Sequence, residues 1–390
     1  MLGTRKLVVD VFGEVYDLLL PWADEEFYDF GLHNIVPGAI YLVGRAQFNF
    51  NKDRIRELVE SDTIKVVLCN PAEGSQTLAS HCETVHRCAD LVRQNKILLV
   101  GGGDMDSSWP YLRYDSFLPK IMDYEENLHA MARSTEIYTS VSKPYKFLFL
   151  NGRTRTHRKY LMERFRLSGL LGQSLWSWLD LTVGYSKDIV LKHNGIDLIG
   201  QPHEIKLLPP QYEYTAYRDR INDLELDKKF VKYELFNNEW GEIYLQPEAY
   251  IDTYFSVVTE TVFDYPYSFR TEKIWKPMAM AHPWIAVANQ GYYRDLHDLG
   301  FQSFGHLIDE SFDQIVNSQD RVERIAQVVE DLCRQDLAEF LKECYTVCKY
   351  NQQHLTHMRL KVRQEFPDRF FQFLKKYNWY ERFRISSATP

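Results

Sequence analysis

Two short segments of this chain combine residue types that can hold a phosphate. In Ser268-Phe269-Arg270-Thr271-Glu272-Lys273-Ile274-Trp275-Lys276-Pro277, a Thr-Glu-Lys triplet opens an apolar stretch that ends at His282-Pro283 and passes into Trp284-Ile285-Ala286-Val287. The pattern predicts a loop, a helix with a charged first turn, a break and a buried strand. Thr271 is of the type that caps a helix by accepting backbone N–H bonds. Glu272 in the first turn suits the positive end of the helix. That end presents unpaired N–H groups to an anion. Lys273 beside it could hold a phosphate oxygen, while Glu272 could accept hydrogen bonds from ribose hydroxyls. A group with both sugar and phosphate is a nucleotide.

The second segment, Asn151-Gly152-Arg153-Thr154-Arg155-Thr156-His157-Arg158-Lys159, gathers three arginines, a lysine and a histidine between a strand and a helix. Guanidinium groups make bidentate, charge-assisted bonds to phosphate, and Arg158 falls near a helix start, where a diphosphate would lie. A third segment, Val257-Val258-Thr259-Glu260-Thr261, ends a strand, and Glu260 could bind a ligand hydroxyl.

Together these segments resemble the donor domain of the α-1,3-fucosyltransferases, in which a Thr-Glu-Lys opens the same kind of helix before a similar strand. The resemblance runs from Phe147 to about Ile308 and extends to uncharacterised bacterial and phage glycosyltransferase-like proteins. It implies a GT-B fold and transfer of a sugar from a nucleotide-diphosphate donor, a GDP- or UDP-sugar, to a glycan or other hydroxyl acceptor. It further implies inversion at the anomeric centre, with no obligatory cofactor or metal. The phosphate-contacting Arg of the family falls on Arg158, with Asn151 marking its loop. Phe269 stands two residues before Thr271, where the family usually has Tyr, so the ring is kept and the hydroxyl lost. Donor binding is therefore expected at Asn151, Arg153, Arg155, Arg158, Glu260, Thr271, Glu272 and Lys273. Lys273→Ala and Arg158→Ala are each expected to weaken nucleotide binding without unfolding the protein.

Gly101-Gly102-Gly103-Asp104-Met105-Asp106 follows another strand. Glycines let a backbone approach a ligand closely, and Asp104 or Asp106 could serve as the catalytic base for an acceptor hydroxyl. Asp-x-Asp also matches the metal motif of GT-A transferases. A metal-dependent GT-A-like transferase and a nucleotide-sugar-binding protein without catalysis are therefore alternatives. Cys344 and Cys348 with His354 and His357 have a zinc-like composition, but they lie along one continuous helical pattern that makes the cysteines core residues. His81 and His86 read as structural.

The chain has 390 residues and a formal net charge of -8, which disfavours a nucleic-acid binder. The six cysteines are scattered, as expected of buried thiols in a reducing cytoplasm. The start of the sequence does not read as a signal peptide, and no apolar run reaches the ~18 residues of a membrane span.

Apolar runs at 7–12, 39–43, 63–69 and 96–100, with a helix over 76–94, predict βαβ units and a parallel sheet. A second unit begins with a strand at 146–150, a helix over 158–171 and a strand at 254–258. Residues 184–245 read as irregular or inserted. From Ser318 to Lys361, apolar residues recur at helical spacing. The expected architecture is α/β, with two Rossmann-like domains facing across a cleft and a helical C-terminus. Its parts are an acceptor-side domain at 1–142, a nucleotide-sugar donor domain at 143–315 and a helical extension at 316–390 packed on both.

Overall fold

The structure is a computed structural model that describes residues 6–10, 15–27, 30, 34–140, 142–181, 192–193, 196–197, 206, 208–212 and 244–379. Most of the stretch read as irregular, 184–245, lies outside the described residues. The chain forms two compact α/β units, one of residues 1–116 with 359–390 and one of 117–358.

In the first unit the apolar runs become strands: β1 (Leu7–Asp10), β2 (Glu25–Phe27), β3 (Ile40–Gly44), β4 (Lys65–Gly74), β5 (Ile97–Gly102) and β6 (Tyr111–Arg113). All pair in parallel, in the order β2-β1-β3-β4-β5-β6. Successive residues such as Val66, Val67 and Leu68 are all buried. That is why these strands read as unbroken apolar runs rather than alternating ones. The helices α1 (Tyr16–Leu19), α2 (Arg45–Phe50), α3 (Lys52–Glu60), α4 (Ser75–Thr84) and α5 (Ala89–Arg93) belong to this unit. Ile55, Leu58, Leu78 and Leu91 join Val43, Leu68 and Leu99 in its core.

The single helix expected over 76–94 is two. Arg87 takes a left-handed φ of 52°, and Cys88 N–H bonds back to the Cys82 carbonyl at 2.8 Å. The turn lets Cys82, Cys88, Leu91 and Val92 all reach the same core.

The glycine triplet has a packing explanation. A Cβ at Gly101 would lie 3.0 Å from both Leu78 Cδ2 and the Tyr111 ring. Gly103 takes φ 75°, and the Tyr111 hydroxyl donates to the carbonyls of Gly102 at 2.8 Å and Gly103 at 3.1 Å. Gly101→Ala is therefore expected to cost about 1 kcal/mol or more through overpacking. Urea denaturation checks this, and an unchanged midpoint would mean that Leu78 and Tyr111 yield freely.

In the second unit, α6 (Phe117–Asp123) and α7 (Glu125–Ala132) precede β7 (Tyr145–Arg153), α8 (Thr156–Leu167) and β8 (Leu175–Leu181). A short antiparallel pair, β9 (Lys192–His193) and β10 (Ile196–Asp197), follows. Then come α9 (Pro247–Ile251), β11 (Thr253–Thr259), α10 (Glu272–Ala279), β12 (Trp284–Val287), α11 (Tyr292–Asp298), α12 (Ser318–Leu332) and α13 (Leu337–Lys376), whose residues from 359 on belong to the first unit. The sheet is parallel, in the order β12-β11-β7-β8.

Phe147, Phe149, Phe165 and Phe255 pack edge-on or tilted in the core of this unit. On α10, Ile274, Trp275 and Met278 are buried, and α6 packs against this helix. Asn317 caps α12 by accepting from Gln319 N–H at 2.9 Å and Asp320 N–H at 3.1 Å. The sequence pattern from 318 to 361 is broken between α12 and α13, where Asp336 accepts from Ala338 N–H at 2.9 Å. All six cysteines, Cys344 and Cys348 included, are buried free thiols. Among the described residues, no helix is long and apolar enough to cross a membrane.

Candidate functional site

The order β12-β11-β7-β8 puts a topological switch point between β7 and β11. From β7 the chain moves outward to β8 on one side, then returns to build β11 and β12 on the other. Open α/β sheets bind ligands outside the carboxyl ends of strands at such a point. Asn151 near the end of β7 and Thr259 at the end of β11 meet there, the Thr259 hydroxyl donating to Asn151 Oδ1 at 3.0 Å.

Arg158 lies in the first turn of α8, 2% exposed. Its Nη2 donates to the carbonyls of Thr259 at 2.7 Å and Glu260 at 3.3 Å. The guanidinium therefore ties α8 to the end of β11. His157 bonds the same Glu260 carbonyl through Nε2 at 3.1 Å. Because a carbonyl only accepts, Nε2 carries the proton. Burial, then Arg158, Arg155 and Arg321, drive the His157 pKa well below its ordinary value, so the ring is neutral. It stacks on Phe263 at 4.7 Å and 18°.

Glu260 is fully buried and is the hub of the site. Its Oε1 accepts from Thr271 N–H at 3.1 Å and from the Tyr292 hydroxyl at 2.9 Å. Its Oε2 accepts from the Thr271 hydroxyl at 2.7 Å and Thr261 N–H at 3.3 Å. Burial raises its pKa above the carboxylate norm, opposed by Lys273 and by the Thr271 bonds. This is a carboxylate that orders the protein, where the sequence reading had it contact a ligand hydroxyl.

Thr271 is the N-cap of α10, as its type and position predict. Its hydroxyl oxygen accepts from Lys273 N–H at 3.3 Å and from Lys273 Nζ at 3.2 Å. Lys273 also pairs with Glu272. Burial pushes the Glu272 carboxyl up, but Lys273 beside it and Lys276 hold it below the usual range. The Lys273 side chain is 26% exposed against 11% for Glu272, so the lysine is the most accessible group of this triplet, its ammonium resting on Thr271 and Glu272.

Of the expected donor-binding residues, the structure brings together Asn151, Arg158, Glu260, Thr271, Glu272 and Lys273. Arg155 is the residue before α8 and is half-buried. The backbone of Arg153 closes β7, and its side chain lies outside the described residues.

Two residues that the sequence reading passed over belong here. Tyr292 opens α11 behind Asn289-Gln290-Gly291, a turn-forming triplet that could have marked the helix start. Arg321, 2% exposed, donates to the carbonyls of Ala288 at 3.2 Å and Ile315 at 2.8 Å, and to that of Phe263. Its guanidinium carbon lies 4.5 Å from the centre of the Phe263 ring. A buried arginine at the start of α12 thus fixes the loop on which His157 rests.

Asp104 and Asp106 belong to the first unit. The Asp104 carboxylate pairs with Arg113 at 2.5 Å, and Arg113 also reaches Asp115 at 3.3 Å. Asp106 accepts from Ser108 N–H at 2.7 Å, closing a turn. Among the described residues, no group of three or more His, Cys, Asp or Glu side chains could hold a metal ion.

The second unit therefore presents a helix N-terminus at a switch point, with the partly exposed Lys273 held on Thr271 and Glu272 and the buried Glu260 network behind Thr271. Neither a protein-family model nor a curated protein matches this chain.

Proposed function

We propose that the carboxyl edge of the second sheet binds the diphosphate of a nucleotide-sugar, and that the chain is a glycosyltransferase related to the α-1,3-fucosyltransferases. The carrying observation is the convergence of the Thr271-capped α10 N-terminus and the partly exposed Lys273 at the β7/β11 switch point. Helix N–H groups and an ammonium group together suit a diphosphate. On this reading the two α/β units are the two halves of a GT-B-type enzyme.

Glycosyl transfer expels a nucleoside diphosphate, and negative charge grows on the leaving phosphate in the transition state. A fixed cation there stabilises the transition state more than the ground state. Lys273 supplies that cation. Arg158 supports it from below by holding the end of β11. Asp104 or Asp106 would serve as base on the acceptor side.

A second reading, a nucleotide-sugar-binding protein without catalysis, is favoured by one feature. Asp104 is already held by Arg113 and Asp106 by a backbone N–H.

The test is a thermal-shift screen with GDP, UDP, dTDP, CDP and ADP, with and without Mg²⁺ or Mn²⁺. A ligand at about 100 times its dissociation constant adds about 2.7 kcal/mol, which is several degrees for units of this size. A metal-independent shift with one diphosphate is expected. Sugar release from the matching nucleotide-sugar then separates the enzyme from the binding protein. A shift that needs Mn²⁺ would favour a metal-dependent transferase using Asp104 and Asp106, and no shift with any nucleotide would sink both readings.

A further inference from the structure

The Thr271 hydroxyl has one proton and two lone pairs. It lies 2.7 Å from Glu260 Oε2, and an ionised carboxylate only accepts. With Glu260 ionised, the proton points at it, and the lone pairs face Lys273 N–H and Nζ. If Glu260 took up a proton, it could itself donate to Thr271, and one of the two lone pairs serving Lys273 would be lost. The hydrogen bonds that keep Glu260 an acceptor thus set the geometry of Lys273. One of them comes from Tyr292, 1% exposed, whose hydroxyl donates to Oε1 at 2.9 Å. Burial, reinforced by the Glu260 charge, lifts this phenol well above 10, so it stays a donor.

We propose that Tyr292 is a positioning residue for the diphosphate, acting through Glu260 and Thr271 to aim Lys273. The inference rests on the diphosphate-binding reading above. The charged and titratable groups around the Glu260 hub come from three sides. His157 and Arg158 of α8 hold its main-chain carbonyl. Glu272 and Lys273 of α10 act on its charge. From the remaining side come Tyr292 of α11 and Arg270, which acts on that phenol.

Tyr292→Phe deletes the donor and keeps the ring. Two quantities are measured in the full chain. The first is the titration midpoint of the Glu260 carboxyl, followed by ¹³C NMR and assigned with Glu260→Gln. The second is the affinity for inorganic pyrophosphate across the same pH range. Losing one hydrogen bond to the ionised form is expected to raise the midpoint by about one pH unit. The pH at which pyrophosphate affinity falls to half should rise with it. Thr271→Val, which removes the hydroxyl that links Glu260 to Lys273 and leaves Tyr292 in place, should lose affinity and with it the dependence on the Glu260 midpoint. A purely structural tyrosine would lower the melting temperature and move neither midpoint, and that result overturns the inference while leaving the diphosphate reading intact. A wild-type protein that binds no pyrophosphate at any pH overturns both.

Discussion

If the second unit binds a diphosphate as proposed, Lys273→Ala should bind it about tenfold to a hundredfold more weakly than the wild type, the loss expected for one hydrogen bond from a charged donor at about 1.5–3 kcal/mol. It should do so in a protein that still folds. The Lys273 side chain is 26% exposed but its partner Glu272 only 11%, so the change leaves a nearly buried carboxylate without its cation and should cost about 1–3 kcal/mol. Calorimetric titration with the diphosphate identified in the thermal-shift screen gives the first number, and a melt of the unliganded protein gives the second. Undiminished affinity in the folded variant would remove the phosphate clamp. Arg158→Ala no longer serves as a companion test. Its guanidinium is buried on the carbonyls of Thr259 and Glu260, so its loss should weaken the fold together with any ligand.

The largest stability effect is expected at Glu260. Glu260→Ala leaves Thr271 N–H, the Thr271 hydroxyl and the Tyr292 hydroxyl without their acceptor. Each buried donor left unmade costs about 1–3 kcal/mol, so a total of about 3 kcal/mol or more is expected. For a unit of this size that is a drop of roughly 6–12 °C. Glu260→Gln keeps the shape and one acceptor oxygen and should lose about 1 kcal/mol. Circular-dichroism melts of the two variants settle the matter. A drop below about 2 °C for the alanine variant would mean that the network relaxes onto water and that Glu260 is no hub.

These expectations divide according to what a linear sequence can carry. The strands at 145–153, 253–259 and 284–287 announced themselves, because buried parallel strands are unbroken apolar runs. The cap at Thr271 was equally plain, since it depends only on residues two positions apart. β8 (Leu175–Leu181) was not recognised. Its Leu-Trp-Ser-Trp-Leu-Asp-Leu sequence mixes polar and aromatic residues, as an edge strand can. At the site, local chemistry showed which residues sit at strand ends and helix starts. It could not show that Arg158 and Glu260 turn inward, because their partners lie 101 and 11 residues away in sequence. Tyr292 was missed for the same reason, its acceptor being 32 residues back. Packing, rather than any local motif, decides which charged group faces a ligand and which one holds its neighbours in place.

The first unit is built from two stretches far apart in sequence. Residues 1–116 are joined by 359–390, and Phe366 of α13 packs against Tyr114 at 4.7 Å, while Arg369 donates to the Arg113 carbonyl at 3.0 Å. On the ribosome, the second unit, which is continuous in sequence, has all its residues before the first does. The earlier-made strands must therefore wait with apolar surface uncovered, the condition under which nascent chains aggregate or recruit chaperones. A chain that stops at Met358 would keep every residue of the second unit and still deprive the first unit of the part of α13 that packs on Tyr114.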